Sequence, residues 1–187
     1  MIEKLISRGW VIPSKSEWTS QAFVVPKPTD KNAPKAWRPA LDYRYLKSQT
    51  KDDPFPLPLI EDLVTKQANN RLLSIFDLED GFHQMHVHPD DQEYTAFITP
   101  HGVYQWKILP MGVKNGLAMF QRMIQWALRE TPRAIVYVDD VLTGTPIDKK
   151  NGIMEILYHD VRMVLNAFRR HKIFVKRSKS TFTYVND

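Results

Sequence analysis

Asp139 and Asp140 stand side by side inside Ala134-Ile135-Val136-Tyr137-Val138-Asp139-Asp140-Val141-Leu142, a run that is otherwise apolar and strand-forming. The β-branched and aromatic residues on either side read as two short strands. The acidic pair falls where a tight turn joins them and lifts both side chains to a rim. A carboxylate beside a core is costly unless a cation or a donor meets it, although an isolated Asp-Asp is by itself an ordinary turn signal. A second acidic residue closes a second apolar strand upstream, Leu72-Leu73-Ser74-Ile75-Phe76-Asp77. If the two strands are neighbours in one antiparallel sheet, Asp77 and Asp139 converge on one edge and make an oxygen-rich pocket. Hard divalent cations, Mg2+ above all, are held through one or two carboxylates plus substrate phosphates. Two such ions roughly 3.5–4 Å apart are the usual clamp for in-line displacement at phosphorus.

The elements that must position these residues can be read from periodicity. Prolines 13, 26, 28, 34, 39, 54, 56 and 58 interrupt the first sixty residues, which suits a lobe of edge strands with long connections. Between them Ala22 to Val25 and Trp37 to Leu41 read as strands, and Leu59 to Gln67 as a helix begun near Pro58. Strands are expected at Leu72 to Asp77, Gln84 to His88, Thr95 to Thr99 and Val103 to Ile108, with a hairpin turn at Thr99-Pro100-His101-Gly102. Helical spacing appears in Leu117, Phe120, Ile124, Ala127 and Leu128, and again in Ile153, Leu157, Val161, Val164 and Phe168. Strand, helix, hairpin, helix, strand is a βαββαβ-like α+β order with the helices on one face of an antiparallel sheet.

The 187 residues, 43% of them hydrophobic, suit one large domain or two small lobes with a real core. No stretch approaches the ~20 apolar residues that span a bilayer, and the start lacks a signal-peptide core. A cytoplasmic or nuclear chain, with no membrane partner, is expected. The absence of Cys excludes disulfides and thiolate metal sites. Net charge is +5, yet Asn166 to Ser180 alone carries six basic residues, Lys176 and Lys179 among them, and no acidic one. With Phe168 and Phe174 interleaved, that segment suits a polyanion backbone as well as a solvated helix end.

Several blocks, in order, resemble the fingers and palm of a retroelement reverse transcriptase. They are Leu41-Asp42-Tyr43-Arg44-Tyr45-Leu46, Phe76-Asp77-Leu78 through Phe82-His83-Gln84, Leu109-Pro110-Met111-Gly112 through Phe120-Gln121, and Tyr137-Val138-Asp139-Asp140. The likeness runs from Ser7 to Phe182, and Arg71 to Arg122 is most similar to gypsy-type long-terminal-repeat retrotransposons and pararetroviruses.

That resemblance implies a right-hand polymerase fold, with fingers mainly in 1–75 and about 89–112, and palm in 76–88 and 113–187. The thumb, connection and RNase H domain of the family lie beyond Asp187. It implies an RNA-directed DNA polymerase with RNA or DNA template, DNA primer and dNTPs as partners, and two Mg2+ ions for which Mn2+ can substitute. Asp77, Asp139 and Asp140 are the implied catalytic carboxylates, with the carbonyl of Leu78 completing the metal sites. Phe82 would lie under the incoming sugar, Lys27 and Arg38 would meet the triphosphate, and Met111 stands at the nucleotide pocket where relatives have Gln or Phe. Gly112, Tyr137, Lys176 and Lys179 are placed along the nucleic acid.

Other readings are weaker. A plain RNA-binding domain is disfavoured because no Lys/Arg-Gly-Phe/Tyr-Gly/Ala-Phe run is present. A non-catalytic, domesticated relative serving as a structural or binding subunit in a larger assembly has little reason to keep three crowded carboxylates. His83, His86 and His88 suggest a transition-metal site, but in a strand the first faces away from the other two.

Overall fold

The computed structural model describes residues 2–26, 37–146 and 152–185. In chain order the elements are α1 (Ile2–Ser7), β1 (Val11–Pro13), β2 (Ser20–Pro26), β3 (Trp37–Leu41), α2 (Arg44–Gln49), α3 (Ile60–Gln67) and β4 (Asn70–Asp77). There follow β5 (Phe97–Thr99), β6 (Gly102–Trp106), α4 (Gly116–Ala127), β7 (Ala134–Tyr137), β8 (Asp140–Pro146), α5 (Ile153–His171) and β9 (Thr181–Val185). Among the described residues no helix is long and apolar enough to cross a membrane.

These elements form two compact units, Met1–Asp52 with Met85–Gly116, and Asp53–Gln84 with Leu117–Asp187. In the first, a five-stranded sheet runs in the order β1-β6-β5-β2-β3. Both edge strands contain a proline, Pro13 and Pro39, where a missing N–H costs no ladder bond. Its core is Val11, Phe97, Trp106 and Ile108. Tyr43 is buried beside it and donates its hydroxyl to the carbonyl of Thr95 at 2.9 Å, and burial holds that phenol well above its ordinary pKa.

In the second unit the four-stranded sheet runs β7-β8-β4-β9, all antiparallel. This is the expected βαββαβ order, with α4 between β4 and β7 and α5 between β8 and β9. Along β4, Leu72, Ser74 and Phe76 are buried and alternate with half-buried Leu73, Ile75 and Asp77, the period of a strand covered on one face. Phe120, Ile124, Ala127 and Leu128 from α4 and Val164, Ala167 and Phe168 from α5 pack with Phe76, Leu78, Val136 and Val141 in one core. Both helices therefore cover the same face of the sheet, and Asp77 belongs to the other.

Two expectations are corrected, the strand at Gln84 to His88 and the placing of both aspartates in the hairpin turn. Gln84 to His88 is not a strand: a 3-10 turn covers Gly81–Gln84, and one isolated bridge joins His86 to Ile108. Its backbone meets residues 107–109 through Val87 N–H to Lys107 O at 2.9 Å and Leu109 N–H to Met85 O at 2.7 Å without propagating into a ladder, and Met85–His88 goes with the first unit. Residues 53–75 cluster with the second unit, where β4 is hydrogen-bonded between β8 and β9. In the hairpin, the turn is Val138-Asp139, and Asp140 is already the first residue of β8, where it pairs with Tyr137.

Candidate active site

Asp77 ends β4 and Asp140 opens β8, and the two are direct cross-strand partners. Like charges facing each other across an antiparallel pair destabilise a sheet, so this arrangement is unfavourable unless positive charge lies near it. Asp139, one residue back in the turn, is tied to β4 through its carbonyl, which accepts from the N–H of Leu78 at 3.1 Å. Its side chain is half-buried, and Oδ1 is fully enclosed without a hydrogen-bond partner. Burial first, and then the charges of Asp140 and Asp77, push its pKa above the ordinary carboxylate value. A buried oxygen left unpaired among like charges is costly unless a cation or a donor meets it.

Leu78 is buried beneath this edge. The backbone after Asp77 is stitched to the segment before β9. The Asp77 carbonyl accepts from Lys176 N–H at 2.8 Å, and the Asp77 N–H donates to Ser180 Oγ at 3.2 Å. Glu79 N–H donates to Phe174 O at 3.0 Å, and Gln84 bonds to both the N–H and the carbonyl of Phe174, each at 2.8 Å. These bonds bring the basic segment beside the carboxylates. Lys179 Nζ lies 3.6 Å from Asp77 Oδ2, but its side chain is 60% exposed. A long ion pair to an exposed lysine contributes little, so Asp77 stays available.

Phe82 stacks on the buried ring of Phe120, with centroids 5.0 Å apart and planes 19° apart. Tyr137 is half-buried and lines a groove of about 560 Å³ with Leu63, Leu73, Ile135 and Leu142. Lys176 is the residue before a 3-10 turn at Arg177–Lys179. Met111, 61% exposed, and Gly112, at φ +91°, belong to the first unit. The backbone of Arg38 pairs with Val25 in β3, while its side chain and the whole of Lys27 lie outside the described residues.

Among the described residues no three acidic or histidine side chains already form a closed ligand set. The unpaired Oδ1 of Asp139 and the facing Asp77 and Asp140 are the donor chemistry a hard divalent cation requires.

The model of the family described as "Reverse transcriptase (RNA-dependent DNA polymerase)" matches residues 25–186. The chain belongs to the reverse transcriptase family. It is 33% identical to the retrovirus-related Pol polyprotein from transposon opus of Drosophila melanogaster, over 97% of this chain and 18% of that one. It is 31% identical to the enzymatic polyprotein of figwort mosaic virus, over 96% of this chain and 26% of the relative. This reverse transcriptase segment therefore spans about a fifth to a quarter of the length of those curated relatives. A foamy viral protease-reverse transcriptase solved in complex with double-stranded DNA superposes with a TM-score of 0.83 at 26% identity, over 96% of this chain and 30% of the other. The right-hand polymerase fold expected from the motifs is thereby established.

Two residues at this reverse transcriptase site carried no role in the sequence reading. Gly81 is one: a Cβ there would lie 2.6 Å from Asp139 Oδ1 and 3.1 Å from Phe120 Cζ. Gln121 is the other, a polar residue on the buried face of α4. A glutamine among the apolar positions of a helix was the available signal.

Proposed function

We propose that this chain is the fingers and palm portion of an RNA-directed DNA polymerase, which extends a primer 3′-hydroxyl with deoxynucleoside triphosphates and releases pyrophosphate. The first unit is the fingers and the second the palm. The observation that carries this reading is the unpaired, enclosed Oδ1 of Asp139 beside the facing pair Asp77 and Asp140. Reverse transcriptases use divalent metal, and two Mg2+ ions, with Mn2+ as substitute, would neutralise charge on the triphosphate and favour ionisation of the attacking hydroxyl. Asp77 and Asp139 would hold both ions, Asp140 would add field and orientation, and the carbonyl of Leu78 would complete one shell. Phosphoryl transfer of this kind depends on positioning and charge neutralisation more than on covalent chemistry by the protein.

RNA or DNA template, DNA primer and dNTPs are the proposed partners, and the double-stranded DNA bound by the foamy viral relative supports a nucleic-acid partner. Lys176 and Lys179, beside Asp77, are proposed to supply positive charge to a primer backbone; Tyr137 in the second unit and Gly112 in the first are each proposed to meet nucleic acid. In the fingers, Arg38 and Lys27 are proposed to meet the triphosphate, and Met111 to line the nucleotide pocket. The decisive experiment is primer extension on RNA and DNA templates with Mg2+ or Mn2+, run beside Asp139→Asn. Extension by the native chain that the variant lacks supports the reading, and equal extension by both removes it.

Phe82 is proposed as the sugar gate. Its ring is backed by Phe120 and cannot tilt away without breaking that stack, so a 2′-hydroxyl above it meets a rigid surface. Phe82→Val should raise ribonucleotide incorporation relative to deoxynucleotide by roughly 10- to 100-fold, the range one steric contact can supply. Competition between the two nucleotide classes measures it, and an unchanged ratio removes the gate.

Gly81→Ala tests the packing of the carboxylate itself. The added methyl collides with Asp139 Oδ1 and Phe120, and the carboxylate is the part free to move. Activity should fall about tenfold or more, while overpacking lowers stability by about 1–3 kcal/mol. Steady-state extension rates and a denaturant titration separate the two effects.

A further inference from the structure

We propose that Gln121 is a positioning residue for the catalytic turn, its side-chain amide clamping the hairpin that presents Asp139; this deepens the polymerase reading and rests on it. Gln121 is fully enclosed, at 0% exposure, on the core face of α4. Its Nε2 donates to the carbonyl of Val136 at 2.9 Å, and its Oε1 accepts from the N–H of Val138 at 2.8 Å. One planar amide thus spans from β7 into the turn and ends one residue before Asp139.

The turn needs such a clamp because Val138 stands at φ +54°. A β-branched residue rarely adopts that region, and a strained backbone persists only where its surroundings over-determine it. Turn types with positive φ are ordinarily filled by Gly or Asn, so the sequence at 138 does not favour the shape that the turn holds. The turn backbone is held on one side by Gln121 and on the other by the Leu78 N–H to Asp139 O bond at 3.1 Å. Loss of the first contact frees the turn to relax, and the Asp139 carboxyl moves with it.

Chemistry restricts what can replace Gln121. An amide of this length offers a fixed donor and a fixed acceptor side by side in one plane, whatever the pH. Glu keeps the acceptor for Val138 and, when ionised, loses the donor for Val136, whereas Met fills the volume and keeps neither. Gly at 138 tolerates positive φ, so a turn built on it depends less on the clamp. A buried glutamine that merely satisfies its own polar atoms would show no such dependence.

The test makes Gln121→Met and Gln121→Glu in the native chain and in the Val138→Gly background. It reads kcat and KM for dNTP in primer extension and, separately, Mn2+ affinity by electron paramagnetic resonance. Gln121→Met is expected to lower kcat about 100-fold with KM changed no more than about threefold, the signature of a misplaced catalytic group. Gln121→Glu is expected to recover all but about tenfold of that loss. In the Val138→Gly background the loss on Gln121→Met should shrink to about tenfold or less. Mn2+ affinity should fall about tenfold in Gln121→Met and return in the Val138→Gly background.

A kcat for Gln121→Met within about threefold of native, or the same factor lost in both backgrounds, overturns the proposal. If the native chain binds Mn2+ but extends no primer, the polymerase reading fails, and the Mn2+ affinities alone decide whether Gln121 positions the turn. If the native chain binds no Mn2+, both fall.

Discussion

Asp139→Asn should reduce primer extension by about 100-fold or more while leaving the fold at least as stable as before. The substitution keeps volume and removes a charge that the surroundings oppose. The sign follows from linkage. Burial, Asp140 and Asp77 raise the pKa of Asp139 in the folded protein, so the native state holds a proton more tightly than the unfolded chain does. Stability from this group is therefore lost as pH rises from the ordinary carboxylate range through the raised value, and the loss persists at neutral pH. Asn carries no such penalty, so its melting temperature should equal or exceed that of the native chain near pH 7. The difference should vanish in acid, where both states of Asp139 are protonated. Melting curves at several pH values, measured without divalent metal, give one half of the result and extension rates the other. A variant that is both inactive and clearly less stable at neutral pH would mean that Asp139 serves the fold, and a stable variant of full activity would mean that it serves neither.

Phe76→Ala should cost about 3–5 kcal/mol, the largest stability effect expected of one substitution here. Phe76 is at 0% exposure in the centre of the palm sheet. Its ring meets Phe168 of α5 edge-on at 5.8 Å and Phe182 of β9 at 5.7 Å, so one side chain joins three elements. For a domain of this size that loss corresponds to a fall in melting temperature of about 6–20 °C. Urea titration should show a lowered midpoint with an unchanged slope, as for a cavity in an otherwise two-state protein. A loss under about 1 kcal/mol would mean that the site collapses around the missing ring. The position immediately precedes Asp77, so the variant also indicates how far the site depends on the core. At a temperature where the variant is fully folded, its extension rate should recover most of the native value, since no carboxylate is removed.

Much of this was legible in the residues. The two-residue period of β4 and the apolar spacing of α4 and α5 were strong enough to fix element type, and the order β4, α4, β7, β8, α5, β9 follows from them. Local rules failed where partners are tertiary. Gln84 to His88 looks strand-like by composition, yet it finds a single bridge, at His86. The pair Asp139-Asp140 looks like a turn, yet only the first is in it, because the pairing of Asp140 with both Tyr137 and Asp77 draws it into β8. The roles of Gly81 and Gln121 depend on contacts with other segments, the Asp139 carboxylate for Gly81 and the backbone of Val136 and Val138 for Gln121, so the sequence carried no more than the oddity of a glutamine among apolar helix positions.

By itself, then, the sequence determined the family, the palm topology and the identity of the acidic residues, because motif order, hydrophobic period and charge inside an apolar run are local properties of a chain. Tertiary structure decided what those residues can do. It set Asp140 opposite Asp77, enclosed one oxygen of Asp139 without a partner, brought Lys179 to 3.6 Å from Asp77 and clamped a strained turn with a buried amide. Burial and electrostatic coupling depend on what lies across the sheet and beneath it, and no spacing along the chain encodes them.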